Sequence, residues 1–376
     1  MLVPVLIEPG YQNSIWARQT LNGLSQEAAR RKYQFLQLDG STYTAIDYNA
    51  LFAQERRMVI IAGTSITWMP QALRFFAAQG IGTVLISFDP QEPMTPQGMV
   101  RMDYVNAMHT LLTYLSDCGR SHIACFGFNP NSSADTIKQR YFDLWNHAHG
   151  NDAGAHVFLN LGSLETCYAQ FCASEGFDAV ICANDIVAVF LIKRLKDSGI
   201  SVPEQMYVAA FGNSLLAQRV HPTITTASLD HYEMGRQAVI LYAHLYRQKA
   251  SASMSVRVHS QLMIRESTAL TPLHESRPGH PICDGGDVMN VDFYSDQDVM
   301  RLSLAEQLLH ACDAVDEALL CGILRGDPYE KQEETLYLTA DALKYRKKRL
   351  MQWAKCGTNA QFQEFLLFCK ELGLIQ

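Results

Sequence analysis

The strongest constraint on the fold is the alternation of short apolar runs with helical patterns over residues 1–270. Stretches such as 17–32 separate the runs, and their apolar residues recur at the spacing of an amphipathic helix. Strands that alternate with helices in this way predict βαβ crossovers and a mostly parallel sheet. The apolar runs predicted to be strands are 3–8, 33–39, 57–63, 82–89, 122–128, 155–161, 177–183 and 206–213.

These strands form two successive sets of about four, which predicts two similar α/β lobes with a cleft between them. At 376 residues, the chain is long enough for two or three domains. Ligands of open α/β sheets bind outside the carboxyl ends of the strands. The loops that follow the predicted strands are therefore the candidate ligand-binding positions.

The composition narrows the class of protein. The chain is 48% hydrophobic and 18% charged, as is typical of a soluble globular protein. A formal net charge of −7 argues against a protein that coats nucleic acid over its whole surface, but it permits one basic patch. The cysteines are scattered without a CxxC pair and the histidines are dispersed, which predicts reduced thiols and no metal site.

Membrane and enzyme signals are absent from the sequence. The apolar segment 1–10 is too short to span a bilayer and lacks a positively charged leader. No later run of about 18 apolar residues follows, so we expect a cytoplasmic protein without a membrane partner. The motifs GxxxxGK[ST], HExxH and GxSxG do not occur, so an enzyme is the least supported class and no cofactor is expected.

The loop after the first predicted strand brings Tyr11, Asn13 and Trp16 together. An aromatic ring beside an amide binds a small polar ligand by stacking and hydrogen bonding. Packing of Trp16 between the first helix and its strand explains the tryptophan equally well. Both interpretations stay open at this point.

Two further strands end in polar residues. The fourth predicted strand ends at Asp89, and a later strand runs into the sequence CANDIVA, which places Asn184 and Asp185 at the start of a helix. Asp185 is a plausible N-cap there. Asn184 is harder to explain as a cap, so it is the better ligand candidate.

The segment VICANDIVAVFLIKRLKDSGISVPEQMYVAAFGN (180–213) resembles the corresponding part of LacI/GalR regulators and of their periplasmic sugar-binding relatives. Residues 102–127, 225–239 and 264–269 resemble the same family, in the same order. The resemblance implies two Rossmann-like lobes of periplasmic binding protein-like type I that close on an effector, and a homodimer. The implied lobes are about 1–104 with 229–262, and about 105–228 with 263–270.

The same resemblance implies an effector site at Asn13, Trp16, Asp89, Arg140 and Asn184. An arginine on an exposed helix is otherwise solvated, which is the alternative for Arg140. The sequence departs from the family at two places: Gly212 stands where an aspartate is common, and Leu229 stands where a glutamine is frequent. Each departure removes a partner for a hydroxyl group, which weakens the case for a simple sugar. The expected effector is a small polar molecule, and its class, a sugar or a related metabolite, stays open.

Members of that family begin with a helix-turn-helix, whereas this sequence begins at the first strand of the sensor. Residues 271–295, rich in proline and glycine at first, are predicted to be a linker. One helix is predicted over 296–326, ended by Gly326. A short helix follows, then a basic helix opened by Thr339 and a last helix opened by a second threonine cap.

This order of helices resembles the LuxR/NarL type of DNA-binding domain, over about 312–376 of the helical region 296–376. At about 3.6 residues per turn, the basic helix has two sides. The apolar side is formed by Leu343, Leu350, Met351 and Ala354. The opposite side is formed by Lys344, Tyr345, Lys348, Arg349 and Gln352.

Outward donors and one aromatic ring are what a helix needs to enter a major groove of double-stranded DNA. The resemblance implies that Lys344, Tyr345 and Lys348 contact bases, and Arg346 near the border is expected to reach phosphate. Two residues depart from the pattern. Lys347 lies on the apolar side, and Ala342 lacks a hydroxyl group for phosphate.

The sequence therefore favours a ligand-responsive transcriptional regulator with a C-terminal helix-turn-helix, a small-molecule effector and a homodimer that binds DNA. The alternative is a cytoplasmic small-molecule-binding module whose C-terminal helices mediate oligomerisation or partner binding. In that case the basic helix is a solvated surface.

Overall fold

The first part of the chain forms a six-stranded sheet. The computed structural model describes residues 1–11, 14–52, 56–90, 95–150, 156–174, 176–248, 253–269 and 293–375. The strands of this first sheet are β1 (Leu2–Ile7), β2 (Gln34–Leu38), β3 (Met58–Ala62), β4 (Gly82–Ile86), β5 (Gly98–Met102) and β11 (Met254–Val258). They lie in the order β11-β5-β4-β3-β1-β2, and every neighbouring pair is parallel. The inner strands β1 and β3 are wholly buried, as apolar strands covered on both faces should be.

The helices around this sheet are α1 (Ile15–Arg30), α2 (Tyr48–Leu51), α3 (Trp68–Ala78) and α9 (His231–Arg247). Helix α4 (Tyr104–Asp117) follows β5 and packs against α5 (Ser133–Ala148). Helices α1 and α9 pack closely against each other, and glycines at the crossing make this possible. A Cβ atom at Gly23 would lie 2.0 Å from the Tyr232 carbonyl oxygen, and one at Gly235 would lie 2.1 Å from that of Thr20. Larger residues at these two positions would separate the helices.

The second sheet also has six strands. They are β6 (Ile123–Phe128), β7 (Val157–Leu159), β8 (Ala179–Cys182), β9 (Tyr207–Gly212), β10 (Thr225–Ser228) and β12 (Gln261–Met263), in the order β12-β10-β9-β8-β6-β7. The helices of this part are α5 (Ser133–Ala148), α6 (Leu164–Cys172), α7 (Asp185–Asp197) and α8 (Leu215–Arg219). The predicted fold class, two parallel-sheet α/β lobes followed by an all-helical region, is confirmed.

Each predicted strand overlaps an observed strand, with ends shifted by one to a few residues. Four observed strands, β5, β10, β11 and β12, were not predicted. They are short and mix polar with apolar residues, so no apolar run marks them.

The chain divides into two compact units. The first comprises Met1–Leu161 and Ala227–Leu262, and the second comprises Gly162–Thr226 and Met263–Gln376. The C-terminal helices thus belong to the same unit as α6, α7 and α8. The lobe boundaries drawn from sequence stay predictions, and the predicted linker lies mostly outside the described residues.

The C-terminal region consists of α10 (Gln297–Ala311), α11 (Ala314–Arg325), α12 (Tyr329–Leu336), α13 (Ala340–Trp353) and α14 (Asn359–Glu371). The prediction of one helix over 296–326 is wrong, because the chain breaks at Cys312, whose backbone is extended. Asp313 then caps α11 in a capping box, in which its side chain accepts from Asp316 N–H and the Asp316 side chain accepts from Asp313 N–H.

Three other predicted helix boundaries in this region, at Gly326, Thr339 and Thr358, are confirmed. Gly326 ends α11 in the left-handed conformation, with φ 73°. Thr339 caps α13 by accepting from the Ala342 N–H, and Thr358 caps α14 in a second capping box.

Replacement of Gly326 by alanine is expected to lower the free energy of unfolding by about 1 kcal/mol. No heavy atom lies within 4 Å of the position its Cβ would take, so the cost comes from the positive φ alone. Chemical denaturation followed by circular dichroism measures the change. The control is Gly357→Ala, whose Cβ would meet only Gln361 Oε1 at 3.5 Å and whose φ is not positive. An equal effect of the two substitutions would contradict the explanation.

Candidate functional site

The carboxyl ends of several strands of the first unit meet in a network of polar loops. Glu8, directly after β1, accepts hydrogen bonds from the backbone N–H groups of Thr64 and Ser65, which follow β3, at 2.9 and 3.1 Å. The Thr64 carbonyl accepts from the Ser133 N–H at 2.8 Å, and the Ser65 hydroxyl lies 3.4 Å from the Asn131 side chain. The loops after β1, β3 and β6 are therefore in contact.

Trp16 lies among aromatic rings at the start of α1. Its ring centroid is 5.5 Å from that of Tyr11 and 6.1 Å from that of His231. Ser14 caps the helix by accepting from the Ala17 N–H. Asn13, the amide predicted to accompany Trp16, lies outside the described residues.

His231 was missed by the sequence reasoning, although it directly follows Asp230, the N-cap of α9. Burial lowers its pKa to about 4, so the ring is neutral at physiological pH. Its Nδ1 atom is buried and has no hydrogen-bond partner within the described parts of the chain. A neutral ring nitrogen beside a tryptophan can donate to, or accept from, a polar ligand.

Asp89 forms an ion pair with Arg101, with 2.5 Å between Oδ2 and Nη1. Its backbone N–H donates to the Ser133 hydroxyl at 3.2 Å, which ties the end of β4 to the start of α5. The Asp89 side chain is 35% exposed, so part of the carboxylate faces solvent. Arg140 lies exposed on α5. This exposure fits an effector contact and equally fits the alternative, a solvated arginine.

Asn184, not Asp185, caps α7, so the sequence-based assignment of the cap is wrong. The Asn184 side chain accepts from the Val187 N–H at 3.1 Å, and its backbone is extended, as at other N-caps. Asp185 is buried and accepts from the Ser214 N–H at 2.7 Å and from the Thr226 hydroxyl at 2.9 Å. These two partners hold the Asp185 carboxylate inside the second unit, while Asn184 stays partly exposed.

The environment of Asp185 also explains the glycine at position 212. A Cβ atom at Gly212 would lie 2.7 Å from Asp185 Oδ2, and the φ of 138° is one that residues with side chains rarely adopt. An aspartate therefore does not fit at this position. The next residue, Asn213, instead accepts a hydrogen bond from the Arg265 guanidinium through its side chain.

Helix α13 has the two sides predicted from its sequence. Leu343, Leu350 and Ala354 are buried, and Tyr345 is 68% exposed. The exposed stripe of α13 consists of Asp341, Lys344, Tyr345, Lys348 and Gln352. Positions three or four apart on a helix lie on one face, so these side chains form a single surface.

Arg346 and Arg349, both predicted to contact DNA, form ion pairs with acidic residues at the start of α11. Asp316 is fully buried, and its two carboxylate oxygens bind the two guanidinium groups. Arg346 also contacts Asp313 at 2.9 Å. The two arginines therefore join α13 to α11, and the acids of α11 neutralise their charge.

Lys347 lies half-buried on the apolar side of α13. Its Nζ atom is 5.8 Å from the centre of the Tyr329 ring, so the aliphatic stem covers α12 while the ammonium group stays near the surface. The uncompensated positive charge of the exposed stripe belongs to Lys344 and Lys348, which have no ion pair within the described part of the chain.

Two classes of site are not formed by the described residues. They include no cluster of three or more His, Cys, Asp or Glu side chains that could hold a metal ion. None of their helices is long and apolar enough to cross a membrane.

The chain is similar in sequence to one family model and to several curated proteins. Residues 112–268 match the model of the periplasmic binding protein-like domain. Among curated proteins, the chain is 38% identical over 91 residues to the NTD biosynthesis operon regulator NtdR of Bacillus subtilis, covering 24% of this chain and 28% of that protein. It is 24% identical over 204 residues to the HTH-type transcriptional regulator DegA of Bacillus subtilis, covering 53% and 59%.

A third relative is the HTH-type transcriptional repressor CytR of Escherichia coli, 33% identical over 94 residues, or 25% of this chain and 28% of that protein. The matches thus span about a quarter to three-fifths of the length of these curated relatives. They support a periplasmic-binding-protein-like sensor similar to that of LacI-type regulators.

Solved structures share the fold. The complex of the transcriptional regulator CelR with cellobiose has a TM-score of 0.61 at 18% identity, covering 71% of this chain and 84% of that chain. The glucose-bound LacI family regulator CCPA of Weissella paramesenteroides has a TM-score of 0.57 at 20% identity, covering 72% and 99%. These similarities establish the type of fold for the part of the chain that they cover.

The buried Asp185 predicts a pH dependence of stability. Burial raises its pKa from 3.8 to about 6, so the folded chain retains this proton where the unfolded chain has released it. The contribution to the free energy of unfolding is greatest below pH 4 and decreases by about 3 kcal/mol as the pH rises through 6.

Denaturation curves of the wild type and of Asp185→Asn between pH 4 and 7 test this expectation. Asp185→Asn should lack the decrease in the free energy of unfolding between pH 4 and 7. Asp341→Asn, which removes an exposed carboxylate of α13, should retain it. Parallel pH profiles for the wild type and Asp185→Asn would contradict the assignment.

Proposed function

We propose that this chain is a ligand-responsive, DNA-binding transcriptional regulator. Its sensor binds a small polar effector, and α12 with α13 forms a helix-turn-helix of the LuxR type that binds double-stranded DNA. The observation that carries the proposal is the exposed stripe of α13, in which Lys344, Tyr345 and Lys348 face solvent while the opposite side is buried.

The dimensions and chemistry of α13 suit a major groove. Its 14 residues form a helix about 21 Å long. The lysines supply donors for guanine or phosphate, and the Tyr345 ring supplies a hydroxyl group and an apolar edge for bases. Three residues, 337–339, separate α13 from α12, and a short turn of this kind is common in helix-turn-helix motifs.

Arg346 and Arg349 take a different role in this proposal from the one that the sequence suggested. They were expected to bind DNA, yet both are held by Asp316. We assign them to fixing the orientation of α13 on α11. DNA contact is then concentrated on Lys344, Tyr345 and Lys348, and the acidic remainder of the protein avoids DNA.

The proposed effector site uses the residues suggested by the family resemblance, namely Asn13, Trp16, Asp89, Arg140 and Asn184. His231 joins this set because its ring lies beside Trp16 and its Nδ1 atom has no hydrogen-bond partner among the described residues. Related regulators have been solved with cellobiose and glucose, which supports a sugar or a related metabolite as the effector class. Stacking on Trp16 suits the apolar face of such a ring.

In this proposal the protein acts in the cytoplasm as a homodimer and is not an enzyme. A two-fold dimer presents two copies of α13, so the matching DNA site is an inverted repeat. Relatives named as transcriptional regulators support this class. Binding of the effector would favour one arrangement of the sensor and so change the affinity for DNA.

A second candidate function is a small-molecule-binding module whose C-terminal helices serve only assembly. The observation that favours it is that these helices are attached to the sensor part of the second unit by buried carboxylates, including Glu306. The two functions differ in their response to DNA. Only a regulator is expected to bind DNA with an affinity that falls with salt and depends on the residues of α13.

The double variant Lys344→Ala/Lys348→Ala is expected to weaken binding to duplex DNA by about 100-fold, because each lysine contact contributes roughly 1–3 kcal/mol. It should also reduce the slope of log affinity against log salt by about 2. Fluorescence anisotropy with a labelled duplex, measured from low to physiological salt, gives both quantities.

The matched control is Lys32→Ala/Lys196→Ala, which removes the same charge from two exposed positions outside the C-terminal helices. This control should bind DNA as the wild type does. Equal losses in both double variants would mean that net charge, rather than α13, governs the affinity and would refute the proposal.

A further inference from the structure

Helix α10 connects the sensor part of the second unit to the basic helix. It packs against α7 and α8 and also against α13. Its buried residues lie on all sides, among them Val299, Leu302, Ala305 and Leu309. The middle of α10, residues 304–309, is buried on every side, as in a helix that packs inside a protein, whereas Met300 near its start is exposed.

One buried carboxylate on α10 holds the first turn of α8. Glu306 is 1% exposed, and its Oε1 and Oε2 atoms accept from the backbone N–H groups of Leu215 and Leu216 at 2.8 and 2.7 Å. These N–H groups have no partner within their own helix, and a carboxylate is favourable at a helix N-terminus. His310, one turn later on α10, lies 3.1 Å from Glu306 Oε1 and completes the contact.

A second carboxylate fixes the beginning of α10. Asp296 caps α10 through one oxygen, which accepts from the N–H groups of Asp298 and Val299. Its other oxygen accepts from the Leu164 N–H at the start of α6, at 3.0 Å. Helix α10 is therefore attached to the sensor part at two points along its length.

The α8 end of this connection leads directly to a candidate effector residue. Ser214, which precedes Leu215, donates its N–H to Asp185 at 2.7 Å. Asp185 follows Asn184, the partly exposed cap of α7. Asn184 is thus connected to Glu306 in four steps. Asn184 is bonded to Asp185, Asp185 accepts from Ser214, Ser214 is bonded to Leu215, and Leu215 donates to Glu306.

We propose that Glu306 is a positioning residue that couples the Asn184–Asp185 loop to the basic helix α13. A shift of this loop displaces Ser214 and the first turn of α8. Because Glu306 binds that turn through both oxygens, α10 follows, and α13 follows α10. The importance of this coupling for DNA binding rests on the proposed function, whereas the coupling itself does not.

A double-mutant cycle measures this coupling. Asp185→Ala perturbs the sensor end, and Glu306→Gln weakens the contact with α8 while keeping the shape of the side chain. Hydrogen–deuterium exchange of the full chain, read by mass spectrometry over α8, α10 and α13, reports the response without DNA. Asp185→Asn is the milder variant if the alanine variant does not fold.

In a chain with Glu306, Asp185→Ala should raise exchange by about tenfold in α8 and also in α10 and α13. In the Glu306→Gln background, the same substitution should raise exchange in α8 alone. Glu364→Gln is the matched control, because this exposed carboxylate of α14 contacts only Arg301 at 3.5 Å in the ion pairs described. Coupling should persist in that background.

Two results would overturn the proposal. One is an equal response of α13 to Asp185→Ala with and without Glu306, and the other is no response of α10 and α13 in either background. A merely structural role of Glu306 would raise exchange without removing the response to Asp185. If the exchange pattern holds but the wild type binds no DNA, the coupling is supported and the proposed function alone is refuted.

Discussion

The attachment of the C-terminal helices depends on carboxylates that bind backbone N–H groups at helix N-termini. Glu306 at α8 and Asp296 at α6 satisfy donors that the helices themselves cannot pair. Because both acids are buried, their removal would leave unpaired donors in a site with little water. The C-terminal helices are therefore held within the second unit.

The same chemistry shapes the basic helix. Asp313 and Asp316 form the capping box of α11, and they also bind Arg346 and Arg349 of α13. Because these two acids also hold Arg346 and Arg349, the two arginines are bound within the protein. Lys344 and Lys348, which form no ion pair among the described residues, define the surface that we propose binds DNA. The positive charge of α13 thereby separates into arginines bound within the protein and exposed lysines.

Much of the fold was predictable because apolar runs and helical periodicity are local signals. Strands such as β1 and β3 are wholly apolar and need no knowledge of distant residues. The polar strands β10 and β12 were not predictable, because their pairing is decided by the sheet. The cap at Asn184 was misassigned for a similar reason. Asp185 is drawn into the interior by Ser214 and Thr226, which lie far along the chain.

The candidate sites were predictable to different extents. The two-sided pattern of α13 followed from residue spacing alone, but the acidic partners of Arg346 and Arg349 lie about thirty residues away and left no local signal. The contact of His231 with Trp16 joins residues from opposite ends of the first unit. Sequence spacing therefore located the two sides of α13, and tertiary contacts decided which of its basic residues stay exposed.

Selection of genomic DNA fragments by the purified full-length protein, at low and at physiological salt, tests the central claim most directly. The account predicts enrichment of an inverted repeat, with weaker retention of unrelated fragments as salt rises. Absence of any enriched sequence at either salt concentration would contradict DNA recognition by α13. The C-terminal helices would then be an assembly element of a small-molecule-binding protein.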